Sequence, residues 1–310
     1  MARALPISQA RLLRRFRVAA SAALLAAACA CSRHGATGVS VDKALNPYIP
    51  PDTKAIVEVR FDKLKATPFY SKHQKQFNLP QVDAMAERTG FDPRRDLTDV
   101  LVTWNGTQAL AMARGHFDQQ KIERALGPEA QGSFVFLPRN ILLAGPGDVV
   151  SAAKQRQSAG GGGVPDQLKP RLASIPSGDE IWAASYGPLP TEHLPLRSDI
   201  ESALSNIVEF VNGTAMGVGF DTGVHVQADI SCISDAGAKR VNDGIRGSIG
   251  LARLMTRDNE ADLLRLWDSV HVAQDRDTVH LRMDLEAGLA DRIFDRMSEL
   301  RGRAGALVER

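Results

Sequence analysis

Three histidines and one cysteine carry most of the reactive chemistry this 310-residue chain offers. His225, His271 and His280 fall on the polar phase of alternating stretches, with Asp229, Arg282 and Asp284 on the same phase. Three neutral imidazoles on one sheet face are the kind of donor set that holds a metal for hydrolysis. Two features weaken that reading. A hairpin turning at Arg276-Asp277 places His271 opposite Arg282 and His280 opposite Ala273, so the two histidines are diagonal, and a guanidinium within the set repels a cation. His225, His271 and His280 are therefore weak metal candidates on a face that reads as solvated.

Other reactive patterns are missing from the sequence. There is no G-x-S-x-G or H-E-x-x-H, and Gly160–Gly163 lacks the G-K-[ST] of a phosphate loop. Cys232 ends an alternating stretch on its apolar phase and reads as a small core hydrophobe. Asp258, Glu260 and Asp262 cluster where acids favour a helix start. Arg94-Arg95 between Asp92 and Asp96 reads as local ion pairing, and Trp104, Trp182 and Trp267 as packing anchors. The sequence assigns no catalytic residue and implies no cofactor.

The other cysteine of interest is Cys29. Arg3, Arg11, Arg14, Arg15 and Arg17 precede an uncharged stretch, Val18 to Ala28, and then Cys29-Ala30-Cys31. A basic region, a short apolar region and small residues form a bacterial export signal. The apolar stretch is shorter than the roughly 20 residues that span a bilayer. A cysteine directly after Ala27-Ala28 makes Cys29 a candidate for lipidation, although Ala26 stands at the minus-three position where leucine is usual. Two alternatives stay open: ordinary cleavage after Ala26-Ala27-Ala28, and modification at Cys31. The reading is a signal peptide over 1–28, then lipidated Cys29 and a flexible tether over 29–46. The protein would be anchored to a bacterial membrane and face the periplasm. Ala30 in place of aspartate leans towards the outer membrane; plain secretion is the alternative.

Removing the signal changes the charge balance. The whole chain has 38 basic and 36 acidic residues, and losing those five arginines leaves 33 against 36, a net of −3. Binders of nucleic acid carry a basic face, so this balance points away from them.

The elements follow from periodicity. Lys54 to Phe61 alternates as a strand after the turn Ile49-Pro50-Pro51-Asp52. Helical patterns follow over 64–77 and 82–88. Hairpins turn at Asn105-Gly106 and at Pro138-Arg139, separated by a helix over 117–126, and a further helix begins at Asp148. Beyond Gly160–Gly163 and a short helix over 165–173 the same order returns. A strand over 180–186 leads to a helix through Ile200, Leu204, Ile207, Val208 and Val211, stopped by Asn212-Gly213. A hairpin turns at Asp221-Thr222-Gly223, then come helices over 235–255 and 261–268, the Arg276-Asp277 hairpin and a last helix from Glu286 to about Leu300. The fold class is α+β, in two similar halves of β-α-ββ-α-ββ-α, 47–159 and 179–300. A flexible linker over 160–178 separates them and a tail over 301–310 follows. Its sheets are mainly antiparallel, with helices packed on one face.

The junction Arg114-Gly115-His116-Phe117-Asp118 is explained by the fold, as a strand entering a helix capped by Asp118. With Ile49-Pro50-Pro51-Asp52-Thr53, Thr89–Asp96 and Gly247–Leu254 it resembles a family of bacterial envelope proteins. That family has a lipoprotein-like signal, an IPxDT strand opening and a G-[RH]-F-D junction. The resemblance implies architecture and an envelope location, and no activity. The leading expectation is thus a membrane-anchored envelope lipoprotein with a non-catalytic role, binding a partner or serving as an accessory protein. An envelope hydrolase or metal-dependent enzyme on the polar face of the second half is one alternative. A carrier of an apolar ligand, held between helices and sheet, is the other. Feeding cells an alkyne fatty acid checks the anchor: the label enters the wild-type chain and is lost from Cys29→Ala.

Overall fold

The computed structural model describes residues 38–77, 80–127, 132–187 and 208–308. Residues 1–37, with Cys29 and Cys31, residues 188–207, with most of the helix expected through Ile200, Leu204 and Ile207, and the last two residues lie outside them. Gly38 onwards forms one compact unit. Its helices are α1 (Phe61–Lys65), α2 (Pro68–His73), α3 (Pro80–Thr89), α4 (Pro93–Asp96), α5 (Gln119–Leu126), α6 (Gly147–Ser158), α7 (Lys169–Ser174), α8 (Asp235–Met255), α9 (Ala261–Asp268) and α10 (Ala287–Val308). The strands are β1 (Ala55–Arg60), β2 (Leu97–Trp104), β3 (Ala109–Gly115), β4 (Phe134–Leu137) and β5 (Ile141–Ala144), then β6 (Ile181–Tyr186), β7 (Val211–Gly219), β8 (Gly223–Cys232), β9 (Val270–Asp275) and β10 (Thr278–Glu286).

All ten strands join one antiparallel sheet, ordered β4-β5-β3-β2-β1-β6-β7-β8-β10-β9. The expected α+β class holds, and both halves contribute to one continuous sheet. The join is β1 against β6, with Ile56 opposite Ala184 and Glu58 opposite Trp182. Outwards from that pair the order is β1-β2-β3-β5-β4 on one side and β6-β7-β8-β10-β9 on the other. The strand order is thus common to both sides, but the closing helices are placed differently. Val150 and Ala153 of α6 pack with Ile56, Leu101, Met112 and Trp182. Leu289, Ala290 and Ile293 of α10 pack with Val224 and Met283. The register Glu58–Trp182–Gly217–Gln227–Arg282 shows that these are opposite faces of the sheet. The face covered by α6 is therefore the face that β8 and β10 turn to water.

Three sequence expectations are corrected. The flexible tether to Asn46 does not extend that far: Val39, Val41 and Leu45 are buried, the Val39 amide donates to the Ile175 carbonyl at 3.0 Å, and Arg114 Nη1 meets Asp42 at 2.7 Å. The linker over 160–178 is also packed. Gly162 sits at φ +107°, where a Cβ would lie 2.0 Å from the Pro47 carbonyl oxygen, so glycine serves close approach here, not flexibility. Leu168, Leu172 and Ile175 beyond it are buried in the same core as Leu45. Finally, Asn212-Gly213 does not stop a helix but lies within β7, which bulges between Val211 and Gly213. Burial of Val211 beneath α8, against Ala238 and Val241, overrides the local turn signal.

Leu45 decides between tether and core. It is fully buried, so Leu45→Ala removes core volume and lowers unfolding free energy by about 2–5 kcal/mol in a denaturant titration; a tether residue would leave the curve in place.

Candidate functional site

The second-half polar face forms as its parity requires, and its histidines stay apart. His225 Nδ1 contacts Asp284 Oδ1 at 2.7 Å and its Nε2 lies 3.2 Å from Asp221. His280 contacts Asp229 at 2.9 Å, and Arg282 Nη2 shares that carboxylate at the same distance. In register His225 faces Asp284 and His280 faces Asp229, four positions along β8 and so about 13 Å away. His271 pairs with Arg282 and lies diagonal to His280, as its turn implied. The metal reading loses its geometry: among the described residues no group of three or more potential ligands converges. His225 and His280 each meet carboxylates of their own on an open face, while His271 lies opposite Arg282.

The acids of the α8–α9 connection are structural too. Glu260 pairs with Arg296, and Asp262 receives two hydrogen bonds from Arg292 at 3.0 Å each, which ties α9 to α10. Arg94 binds Asp92 and Asp83, Arg95 binds Asp96, and Asp118 caps α5 by accepting from the Lys121 amide at 3.1 Å. Phe117 packs between Phe91 and Phe136. Trp182 is fully buried and Cys232 is a free buried thiol. Burial raises the Cys232 thiol above its ordinary pKa, as expected of an inert packing residue.

What the sequence did not reveal is a cavity of about 310 Å³ on the opposite face of the sheet. Ile181, Val224, Met283 and Leu285 from β6, β8 and β10 make its floor. Ala290, Ile293, Phe294 and Met297 of α10 form one wall and Leu266 of α9 another, while Leu64 of α1, Phe69 of α2 and Phe220 of the β7–β8 turn close the rest. Every lining residue is apolar, and Met297, 62% exposed, stands at the opening. Parts of the chain more than 200 residues apart meet here, which is why no local pattern announces it.

Aromatic and polar contacts hold the wall in place. Phe69 stacks on Phe220 with centroids 5.3 Å apart and meets Phe294 edge-on at 5.2 Å. Behind them the buried His73 ring lies 4.6 Å from Phe69 and 4.8 Å from Phe294. His73 Nε2 contacts Asp291 Oδ1 at 2.6 Å, Lys72 binds the other oxygen, and Gln76 donates to Asp295. Burial by itself would raise the Asp291 pKa, but the hydrogen bonds and charges of Lys72 and His73 outweigh it and hold the carboxyl below its ordinary value. This clamp joins α2 to α10 across the cavity. The cavity lining supplies no nucleophile, acid or base, so its chemistry is that of burial: it can take an apolar group out of water and hold it.

A second feature sits at the start of β6. Asp179 and Glu180 are buried neighbours; Glu180 accepts from the Phe220 amide at 2.8 Å, whereas Asp179 Oδ2 has no hydrogen-bond partner among the described residues. That oxygen lies against Gly217, where a Cβ would come within 1.8 Å of it. Burial, with the Glu180 charge beside it, pushes the Asp179 pKa up to about 6.

No protein-family model matches the chain, and no curated protein is similar to it. Among solved structures, one described as crystal form I of TP0453 matches with a TM-score of 0.40 and 10% sequence identity, covering 84% of this chain and 98% of that one.

The Asp179 site predicts a pH dependence. The folded chain keeps this proton up to about pH 6, whereas an unfolded aspartate releases it near 3.8, so the folded state binds more protons between those values. Stability therefore falls as pH rises from about 4 to 6, and the loss persists above 6. Asp179→Asn, which fixes the neutral form, raises the melting temperature at pH 7.5 and flattens its pH profile across that window.

Proposed function

We propose that this protein is an exported, lipid-anchored envelope protein that binds a single apolar chain or small apolar ring system in the cavity between α10 and the sheet. The observation that carries the reading is the cavity itself, about 310 Å³ with a wholly apolar lining. Its size lies near the lower end of ligand pockets, which run from roughly 300 to 1,000 Å³. It is about twice the roughly 150 Å³ of a cavity that takes up benzene, and has room for about ten water-sized groups. An acyl chain of that length fits the volume and the chemistry. Burial is worth about 0.8 kcal/mol per methylene, and association costs offset much of the total, which points to affinities on the order of micromolar.

Anchoring at Cys29, ahead of the packed residues that begin at Val39, completes the reading. It rests on the basic and apolar pattern of residues 1–28 and supports a location at a periplasmic membrane face, with Ala30 favouring the outer membrane. A lipid ligand and a lipid-anchored holder share one compartment. An envelope protein partner, which would receive or deliver the bound molecule, belongs to the same reading.

A titration with a fluorescent fatty acid tests it. The purified full chain binds saturably, and Ala290→Phe, which fills the cavity, weakens binding at least tenfold. Because overpacking can cost about 1–3 kcal/mol, Met297→Asp at the opening provides a second variant that leaves the core intact. Absence of saturable binding by the wild type, or equal binding by both variants, overturns the proposal.

A further inference from the structure

The far end of α8 is a sparsely covered stretch of a long helix. The helix runs for 21 residues, but its buried residues are Gly237, Ala238, Val241 and Asn242, all in the first turns. From Asp243 to Met255 no residue is buried. The helix is about 31 Å long; beyond Asn242, Ile245, Ile249 and Ala252 on one side are partly covered, Ile245 against the Val211–Val279 cluster. Two contacts steady the end: Trp267 Nε1 donates to Thr256 Oγ1 at 3.0 Å, and Arg253 pairs with Asp268 of α9.

The surface of that end is apolar on one side. Leu251, Leu254 and Met255 are 59%, 84% and 75% exposed. They sit at i, i+3 and i+4, so they share one stripe facing away from the sheet. Three of the seven exposed large hydrophobics among the described residues fall within these five positions, a clustering that isolated surface leucines do not show.

Beside this stripe runs a cationic one. Arg246, Arg253 and Arg257 are spaced seven and four residues apart, which aligns them along the helix next to the apolar stripe. Gly244 to Arg257 contains no acidic residue, and Arg246 and Arg257 form no ion pair among the described residues. Gly244, Gly247 and Gly250 interrupt the same segment. A Cβ on Gly247 or Gly250 would meet nothing among the described residues, and each glycine lowers the helix's own tendency to form. A helix end weakened by glycine and covered on one side by the described residues, with an apolar stripe and an arginine stripe on its open side, presents a surface for a partner.

We propose that the end of α8 docks on an anionic lipid surface, with Leu251, Leu254 and Met255 entering the interface and Arg246 and Arg257 meeting lipid phosphates. An apolar stripe one helix wide with arginines beside it is the pattern of a helix lying in a membrane interface. A second copy of the chain fits less well, because pairing two α8 ends about a twofold axis brings like-charged arginine stripes together. The inference stands apart from the cavity reading: it uses none of the cavity's residues.

Photo-crosslinking locates the contact directly and does not depend on how the N-terminus associates. The full chain is added to vesicles of phosphatidylethanolamine and phosphatidylglycerol, three to one, containing a diazirine-bearing lipid. After illumination and tryptic digestion, lipid adducts are expected on the peptides 247–253 and 254–257. The double variant Leu254→Glu/Met255→Glu, at exposed positions that leave the thermal melt unchanged, loses at least tenfold of that signal. Arg246→Glu/Arg257→Glu, or vesicles of phosphatidylcholine alone, lowers it several-fold. Adducts absent from both peptides, signal unchanged in the variants, or equal signal on uncharged vesicles overturns the proposal. So does a concentration-dependent dimer that Leu254→Glu/Met255→Glu dissociates, which would assign the face to a second copy.

Discussion

The pairing of β1 with β6 is the constraint on which everything else depends. It joins strands separated by more than 100 residues and turns two five-stranded arrays into one sheet. Its polar content is fully buried: Glu58, 1% exposed, accepts from Trp182 Nε1 across the pair at 2.7 Å and from Arg60 Nε at 3.0 Å. Burial raises the Glu58 carboxyl's pKa even though Arg60 opposes it, so the bonds from Trp182 and Arg60 are what make the position tolerable. Removing either partner would leave a buried carboxyl short of a donor in the middle of the sheet. Arg60 reaches further, to the carbonyls of Ser40 and Ser177, and so fastens both the entry segment and the segment before β6 to the same strand.

Once the sheet is continuous, its two faces are not equivalent. Near β1–β5 the Trp182 face is filled by α6 and by the segments containing Leu45 and Leu168. Near β8–β10 the opposite face is filled by α8 and α10. Cover on opposite faces leaves a polar face bearing His225, His271 and His280 on one side. On the other side, where α10 passes from the second half towards α1 and α2, it leaves the cavity. The cavity is thus a consequence of bridging. A long helix crosses between two packed regions, and the aromatic contacts of Phe69, Phe220 and Phe294 with the His73–Asp291 clamp hold it there without filling the space beneath. The apolar end of α8 has a related origin, a helix longer than the surface available to cover it.

The lesson for sequence reading lies in particular residues. The alternation through Val224, Val226, Ala228 and Ile230, and through Val279, Leu281 and Met283, identified β8 and β10 and the phase of every histidine on them. The turn at Arg276-Asp277 gave the register of His271 against Arg282. Asp118 marked a helix start that the structure keeps. The failures also have reasons. Ser32 to Asn46 and Gly160 to Gly163 look mobile because polar and glycine-rich segments usually are, yet the buried Val39 and Leu45 and the Gly162–Pro47 approach are visible only when their distant partners are in place.

Local chemistry by itself determined the α+β class and the element order of most of the chain. Those properties depend on neighbours one to four residues away, and the sequence states such neighbours directly. Only the tertiary structure decided that the strands form one sheet, that the histidines do not converge, and that Leu64, Phe69, Leu266 and Phe294 surround an apolar space. The physical reason is that a cavity is defined by surfaces left unfilled between distant elements, and periodicity describes what an element buries but not how completely its partners meet it.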